Sequence, residues 1–258
     1  RDYYASRGLG DVYKRQEQVV YSHLEGEQRT LYAAKALELK KELESGGCAD
    51  GGGKLQILSG LMRLRQICCD PRLCLKDYRA GSAKLETCVD LIRRGVEGEH
   101  KILVFSQFAS MLELIGERLE KEKIACYKLT GAVSKEERLR LVSLFSKDTV
   151  PVFLISLKAG GTGLNLTAAD IVIHYDPWWN VAAQNQATDR AHRIGQEKQV
   201  TVYRLITQNT VEENILKLQE TKRELADQVV TGEGISLAKL TKEDLLGCIG
   251  EMSGDGIG

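Results

Sequence analysis

The 258 residues carry 36 Lys+Arg against 36 Asp+Glu, 43% apolar and 28% charged side chains, 25 Gly and only 3 Pro. Such values exclude a collagenous, low-complexity or wholly disordered chain and supply apolar material for one large or two small cores. No uninterrupted apolar run exceeds four residues, against the roughly 20 that a membrane-spanning helix needs, so a soluble globular protein is expected.

The seven Cys form no Cys-x-x-Cys pair, and no His stands at zinc-finger spacing. This reads as reduced packing thiols, an intracellular setting and no structural metal, with Cys68-Cys69 beside a turn as the exception worth watching. Zero net charge argues against a whole-surface attraction for nucleic acid, yet a sum hides patches. From Lys54 to Arg79 six basic residues (Lys54, Arg63, Arg65, Arg72, Lys76, Arg79) face two acidic ones, Asp70 and Asp77, and that stretch could meet a polyanion.

In chain order, RDYYASRGLGDVYKRQ (1–16) shows no helical or strand periodicity, and its ending VYKRQ looks like translated cloning or adapter sequence. It is read as a non-native or frayed leader, with a native strand end as the alternative. Leu31, Ala34, Leu37, Leu39 and Leu43 recur at near-helical spacing and predict a helix from Gly26 to Glu44. After a Gly-rich loop a second helix is predicted from Lys54 to Ile67. Its buried stripe is Leu55, Leu58, Leu61 and Met62, Arg63 and Arg65 lie off that stripe, and Asp70-Pro71 stops it.

Beyond Ser82 short β-rich runs alternate with amphipathic helices. Strands are predicted at Lys101–Ser106, Ala125–Leu129, Val152–Ser156, Ile171–Tyr175 and Val200–Ile206, with helices at Glu86–Arg94, Ser110–Glu122, Lys135–Phe145 and Ala182–His192. That alternation implies an α/β fold with a mostly parallel sheet flanked by helices, and the runs ILVF and VFLI suit strands buried on both faces. Ligands then bind beyond the carboxyl ends of the strands, here SQF, LTG, SLKAGG, YDPWWN and ITQNT. A last long helix, Val211–Val229, opens on a capping signature, Asn209-Thr210 followed by Glu212-Glu213, and a short one spans Lys242–Leu246.

Three constellations can carry chemistry. In QATDRAHRIGQ (186–196) Arg190 and Arg193 stand three apart on one predicted helix face. Two guanidiniums side by side suit an anion between them, phosphate above all, although such a pair alone reads more readily as a solvated face with Asp189 as counterion. In SLKAGGTGLNL (156–166) Gly160, Gly161 and Gly163 allow backbone N–H groups close to a phosphate while Thr162 adds a hydroxyl and Lys158 a charge; a bare tight turn is the alternative. Thr130-Gly131 and Ser106-Gln107 offer small polar groups at the same sheet edge. In YDPWWN (175–180) one Trp can stack on a base or sugar, or both can anchor the loop. GGCADGGGKL fails the phosphate-loop template, because Cys48 stands where Gly is needed and Leu55 follows the Lys, and no D-E-x-H acidic strand end occurs.

KILVFSQF, LTG, SLKAGGTGLNLTAAD, YDPWWN and QATDRAHRIGQ, in this order and spacing, resemble the second, carboxyl-terminal RecA-like lobe of the Swi/Snf-type ATP-dependent DNA translocases of helicase superfamily two. The resemblance spans Gln18 to Ile249. LRQICCDP is similar to the family's segment just upstream of this lobe, and TVEENILKLQETKRELADQVV to the closing brace helix of bacterial members. Between the leader at 1–16 and a tail at 250–258 read as mobile, it implies a helical linker from the first lobe at 17–80, the RecA-like lobe at 81–208, and a brace helix and terminal helical segment at 209–249. It further implies that Arg190 and Arg193 act as arginine fingers on ATP, with Gln186 and Gly163 nearby, while the first lobe holds Mg. Ser106, Gln107, Thr130, Gly131, Lys158, Gly161, Thr162 and Trp179 would contact double-stranded DNA. Val181, Gln184 and Ala83 depart from the family's usual Pro, Glu and Gly.

On this resemblance the chain is half of a two-lobe motor and should not hydrolyse ATP by itself, since it lacks both nucleotide-binding motifs of the first lobe. The competing readings are a nucleic-acid-binding module without ATPase activity and a lobe of an RNA helicase. A dinucleotide oxidoreductase is disfavoured because no G-x-G-x-x-G turn follows the first strand.

Overall fold

The computed structural model describes residues 16–44, 51–160, 164–179, 181–191, 198–228 and 242–249. Its centre is a sheet of strands β1 (Gln16–Ser22), β2 (Ile102–Ser106), β3 (Cys126–Leu129), β4 (Val152–Ser156), β5 (Ile171–His174) and β6 (Thr201–Thr207). They lie in the order β1-β6-β5-β2-β4-β3, and every pairing is parallel. From β2 the chain runs out to β3, returns to β4, then crosses to β5 on the other side of β2. The carboxyl end of β2 is therefore the topological switch point, where open α/β sheets form their crevice.

The central strands alternate their side chains between two buried layers, as the period of two requires. Ile102 and Val104 point into a layer with helices α3 (Ala83–Glu97) and α4 (Ala109–Lys121), through Val89, Ile92, Leu112 and Ile115. Leu103 and Phe105 point into the opposite layer, with Phe145 of helix α5 (Lys135–Lys147), Phe153, Val172 and Val202. Coverage on both faces explains why ILVFS and VFLIS are buried at every position. Helix α3 comes so close that a Cβ on Gly95 would stand 2.7 Å from Ile102 Cδ1, so Gly95 permits the approach. Ser82 and Ser134 cap α3 and α5 by accepting from the Leu85 and Glu137 amides.

A third core is wholly helical apart from one loop residue. Helices α1 (Gly26–Glu44) and α2 (Gly51–Cys69) pack through Tyr32, Ala36, Leu39, Leu61 and Leu64 against Val211 and Ile215 of helix α8 (Val211–Gln228) and against Cys248 and Ile249 of helix α9 (Lys242–Ile249). The remaining helices are α6 (Leu157–Gly160) and α7 (Val181–Thr188). None of the described helices is long and apolar enough to cross a membrane.

Helix α2 begins at Gly51, inside the Gly-rich loop expected over Gly46–Gly53, and buries Ile57, Leu61, Leu64 and Ile67, with Leu58 and Met62 of the expected stripe only half-buried. Two further expectations change. Gln16–Ser22 forms a strand along the whole of β6, from Gln16 opposite Thr201 to Ser22 opposite Thr207, and Glu17 pairs with Arg204 at 2.5 Å. Gln16, placed with the leader, is therefore part of a strand, and the segment from 17, expected to be helical, begins as one. Being an edge strand, it is exposed over most of its length and lacks the apolar alternation that marks a buried one. The helix expected over Ala182–His192 stops at Thr188. The Thr188 hydroxyl bonds the buried His174 ring at 2.8 Å, and the chain leaves the helix in a turn, with Arg190 N donating to Ala187 O and Ala191 N to Thr188 O.

Candidate nucleotide and nucleic-acid interface

The loops at the switch point are organised by a buried carboxylate. Asp176, two residues beyond β5, accepts from the Ser106 hydroxyl at 2.6 Å and from the Gln107 amide at 3.1 Å. The same carboxylate accepts from Arg65 Nη2 of α2 at 3.2 Å, and that nitrogen also donates to the Pro177 carbonyl at 2.5 Å. Arg65 Nη1 donates to Gln107 Oε1 at 2.9 Å. Both ionic side chains are fully buried, and burial pushes the Asp176 carboxyl above its ordinary value, against the opposing pull of Arg65 and Ser106. Arg65 is thus not off the buried stripe as its helical position suggests. Arg72 is likewise engaged, at 2.7 Å from Asp70, which removes two of the six charges of the expected basic patch.

The carboxyl end of α2 is held by side chains that satisfy its last carbonyls. Gln28 Nε2 donates to Ile67 O at 2.7 Å, and Ser82 Oγ and Tyr175 Oη donate to Cys69 O at 2.8 and 2.9 Å. Lys84, at the start of α3, lies 2.5 Å from Glu212 at the start of α8, both buried. Cys68 and Cys69 sit within this junction with no exposure, and desolvation raises both thiols well above their ordinary range. They are protonated packing groups, as is Cys88, pushed up to about 12 by burial.

The sequence-derived site residues separate into three groups. Ser106 and Gln107 follow β2; Ser106 is fully buried, while Gln107 is half-buried. Thr130, half-buried, and Gly131, exposed, form the turn after β3, where Val133 N donates to Thr130 O. Lys158 belongs to α6 directly after β4. These three loops share the carboxyl edge of adjacent strands β2, β4 and β3.

Gln186 is exposed on α7, whereas Arg190 is only 1% exposed, and its carbonyl accepts from Leu166 N at 3.0 Å. Arg190 is therefore inside the lobe, on the turn that follows α7, and not on an open helix face. Trp179, 5% exposed, is the loop residue that fills the helical core beside Leu64 and Val211. Of the two alternatives for the Trp pair, anchoring describes Trp179; Trp178 is half-buried against the opposite layer, and its carbonyl accepts from the Gln219 amide. Gly161, Thr162, Gly163, Arg193 and His192 lie outside the described residues. His174 is buried and stacked on Phe105 with ring centroids 5.6 Å apart. Sequence reasoning missed Arg65 and Asp176, whose roles depend on partners distant along the chain.

Among proteins of known family, the model of the helicase conserved C-terminal domain matches residues 83–195. An uncharacterized ATP-dependent helicase of Mycoplasma pneumoniae is 40% identical over 191 residues, which is 74% of this chain and 18% of that protein's length. The chain therefore spans less than a quarter of this curated relative. The solved C-terminal domain of the Sulfolobus solfataricus SWI2/SNF2 ATPase superposes with a TM-score of 0.75 at 33% identity, over 92% of this chain and 99% of that domain. The core of a SWI2/SNF2 ATPase from the same organism, solved in complex with dsDNA, matches with a TM-score of 0.75 at 34% identity, over 92% of this chain and 50% of that one. The six-stranded parallel sheet flanked by helices is accordingly RecA-like, and the chain belongs to the family of SWI2/SNF2 ATPase C-terminal helicase lobes.

Proposed function

We propose that this chain is the second motor lobe of an ATP-dependent double-stranded DNA translocase. The single observation that carries the reading is the convergence of the loops after β2, β3 and β4 on one edge of a RecA-like sheet. Gln107, Thr130-Gly131 and Lys158 with Gly161 and Thr162 then form a track for the phosphates of one DNA strand, whose contacts position the protein without reading sequence, while the buried Ser106 supports the first of these loops through Asp176. The match to a SWI2/SNF2 core solved with dsDNA supports duplex DNA as the substrate.

ATP would be held between this lobe and an amino-terminal RecA-like lobe, which supplies Mg and the phosphate loop. The donor set fits that division. Guanidiniums at 190 and 193 suit the triphosphate side of such a cleft. Arg190 and Arg193 act as the finger pair, with Gln186 and Gly163 in the cleft. Because Arg190 is buried in the lobe, it has to turn outward to touch a phosphate, so Arg193 carries the larger share of charge neutralisation. The burial of Trp179 moves it from strand contact to anchoring of the YDPWWN loop.

ATP hydrolysis by the complete polypeptide, measured alone, with duplex DNA and with RNA, tests the reading. Stimulation by duplex DNA well beyond that by RNA is expected, together with no hydrolysis by this chain alone. Equal stimulation by RNA would identify an RNA helicase lobe, and a complete polypeptide without ATPase activity would leave only a binding module.

A further inference from the structure

Arg65 lies outside the matched helicase domain of 83–195, on a helix that precedes the lobe, yet its side chain reaches the switch point of the sheet. One guanidinium fork holds two loops at once. It donates to Asp176 and to the Pro177 carbonyl beyond β5, and to Gln107 Oε1 beyond β2. Its carbon also stands 5.7 Å from the centre of the Phe108 ring. The amide nitrogen of Gln107 faces Met62 Sδ at 4.0 Å, also on α2. Both ends of the Gln107 amide are therefore engaged by α2, and Asp176 fixes its backbone.

Two buried charges cost desolvation energy that an apolar pair would not, so such a pair is weak evidence for stability alone. What an apolar pair cannot do is set the register of two loops, because only a planar fork makes three directed bonds to separate segments. The second loop carries Trp179 into the helical core, so the fork and the indole attach α1, α2 and α8 to the same rim.

We propose that Arg65 is a positioning residue for the DNA grip, holding Gln107 and the loop after β2 in place through Asp176. This rests on the reading of the rim as a phosphate track. The helical segment before the lobe is then part of the gripping surface's support, and α2 sets how Gln107 meets the strand.

The test uses the complete polypeptide and duplex-DNA-stimulated ATP hydrolysis, with half-saturating DNA and the saturated rate measured separately. Arg65→Lys keeps a charge for Asp176 but loses the fork. It should raise the half-saturating DNA concentration by about tenfold, the size of an ordinary contact coupling, and change the saturated rate less than about twofold. In a Gln107→Ala background the same substitution should add no more than about a twofold shift, because the group it positions is gone. A merely structural Arg65 would lower the thermal midpoint and the saturated rate and leave half-saturation where it was.

Should Arg65→Lys fail to fold, Arg65→Met/Asp176→Asn leaves no buried charge without its partner, and the same tenfold shift is expected of it. Unmoved half-saturation in the folded variant, or a full shift persisting in the Gln107→Ala background, overturns the proposal. A wild-type protein that DNA does not stimulate overturns the track itself, and that result is visible before any variant is made.

Discussion

Lys84 Nζ lies 2.5 Å from Glu212 Oε2 across 128 residues of chain, and neither side chain is more than 1% exposed. Glu212 also accepts from the Thr207 amide at 2.8 Å, and the ammonium stands 5.4 Å from the centre of the Tyr175 ring. The pair joins the start of α3 to the start of α8 at the end of β6. Lys84→Met leaves an unpaired buried carboxylate, and a loss of about 3–5 kcal/mol is expected from urea denaturation. Adding Glu212→Gln should recover most of it, since an amide keeps an acceptor for Thr207. Burial by itself lowers the Lys84 pKa, the raising influences led by Glu212 oppose it, and the net direction is upward from 10.5. The pair's contribution is therefore complete below the ordinary lysine value and lost only as pH rises through the higher folded one. It should be flat between about pH 6 and about pH 9.

Glu213 gives the opposite pH dependence. Its carboxylate accepts from the Asn209 amide at 2.6 Å and pairs with Lys217 at 3.0 Å, and the Asn209 bond holds its pKa below 4.5. Asn209 has φ of 57°, a left-handed conformation that Asn tolerates better than most side chains. A depressed carboxyl stabilises above its unfolded value and loses that contribution as pH falls through the folded one. Glu213→Gln should cost about 1 kcal/mol at neutral pH, the ordinary worth of a capping contact. It should also remove part of the destabilisation that the wild type shows below about pH 4.5. An unchanged acid limb would show that the contact is idle.

Trp179 fills the junction between the switch-point loop and α1, α2 and α8. Trp179→Ala should cost about 3–5 kcal/mol by transfer and cavity formation. Hydrogen exchange should quicken first in α1 and α2 and last in β2 and β4, which lie in the other cores. Uniform quickening throughout the molecule would show that the helical core is not a separate cooperative unit.

The elements that stood out in the sequence are those whose environment is local or symmetric. Val152–Ser156 is buried on both faces and appears with the expected bounds; Gly26–Glu44 does so too, but of the five residues that marked it only Leu39 and Leu43 are buried, Ala34 and Leu37 being exposed and the packed face running through Gln28, Tyr32 and Ala36. The capping of α8 was also legible, since Thr210 accepts from the Glu212 amide and Glu213 from that of Asn209. Edge strand β1 was not, because its pairing with β6 supplies what its own pattern lacks. Arg65 could not be placed by helical periodicity, since its burial is compensated by Asp176, 111 positions away. The early end of α7 falls at Thr188, whose hydroxyl meets the His174 ring, a partner 14 positions away that helical periodicity does not reveal. Trp178 and Trp179, identical and adjacent, are told apart only by the cores that receive them.

The most direct test of the two-lobe motor is Arg193→Ala in the complete polypeptide, with ATP binding and duplex-DNA-stimulated hydrolysis measured on the same preparation. Removal of a finger that acts on developing phosphate charge should lower stimulated hydrolysis by about 10³-fold while leaving most ATP binding intact. Near-normal stimulated turnover in this variant would contradict the assignment of ATP to a cleft that this lobe completes.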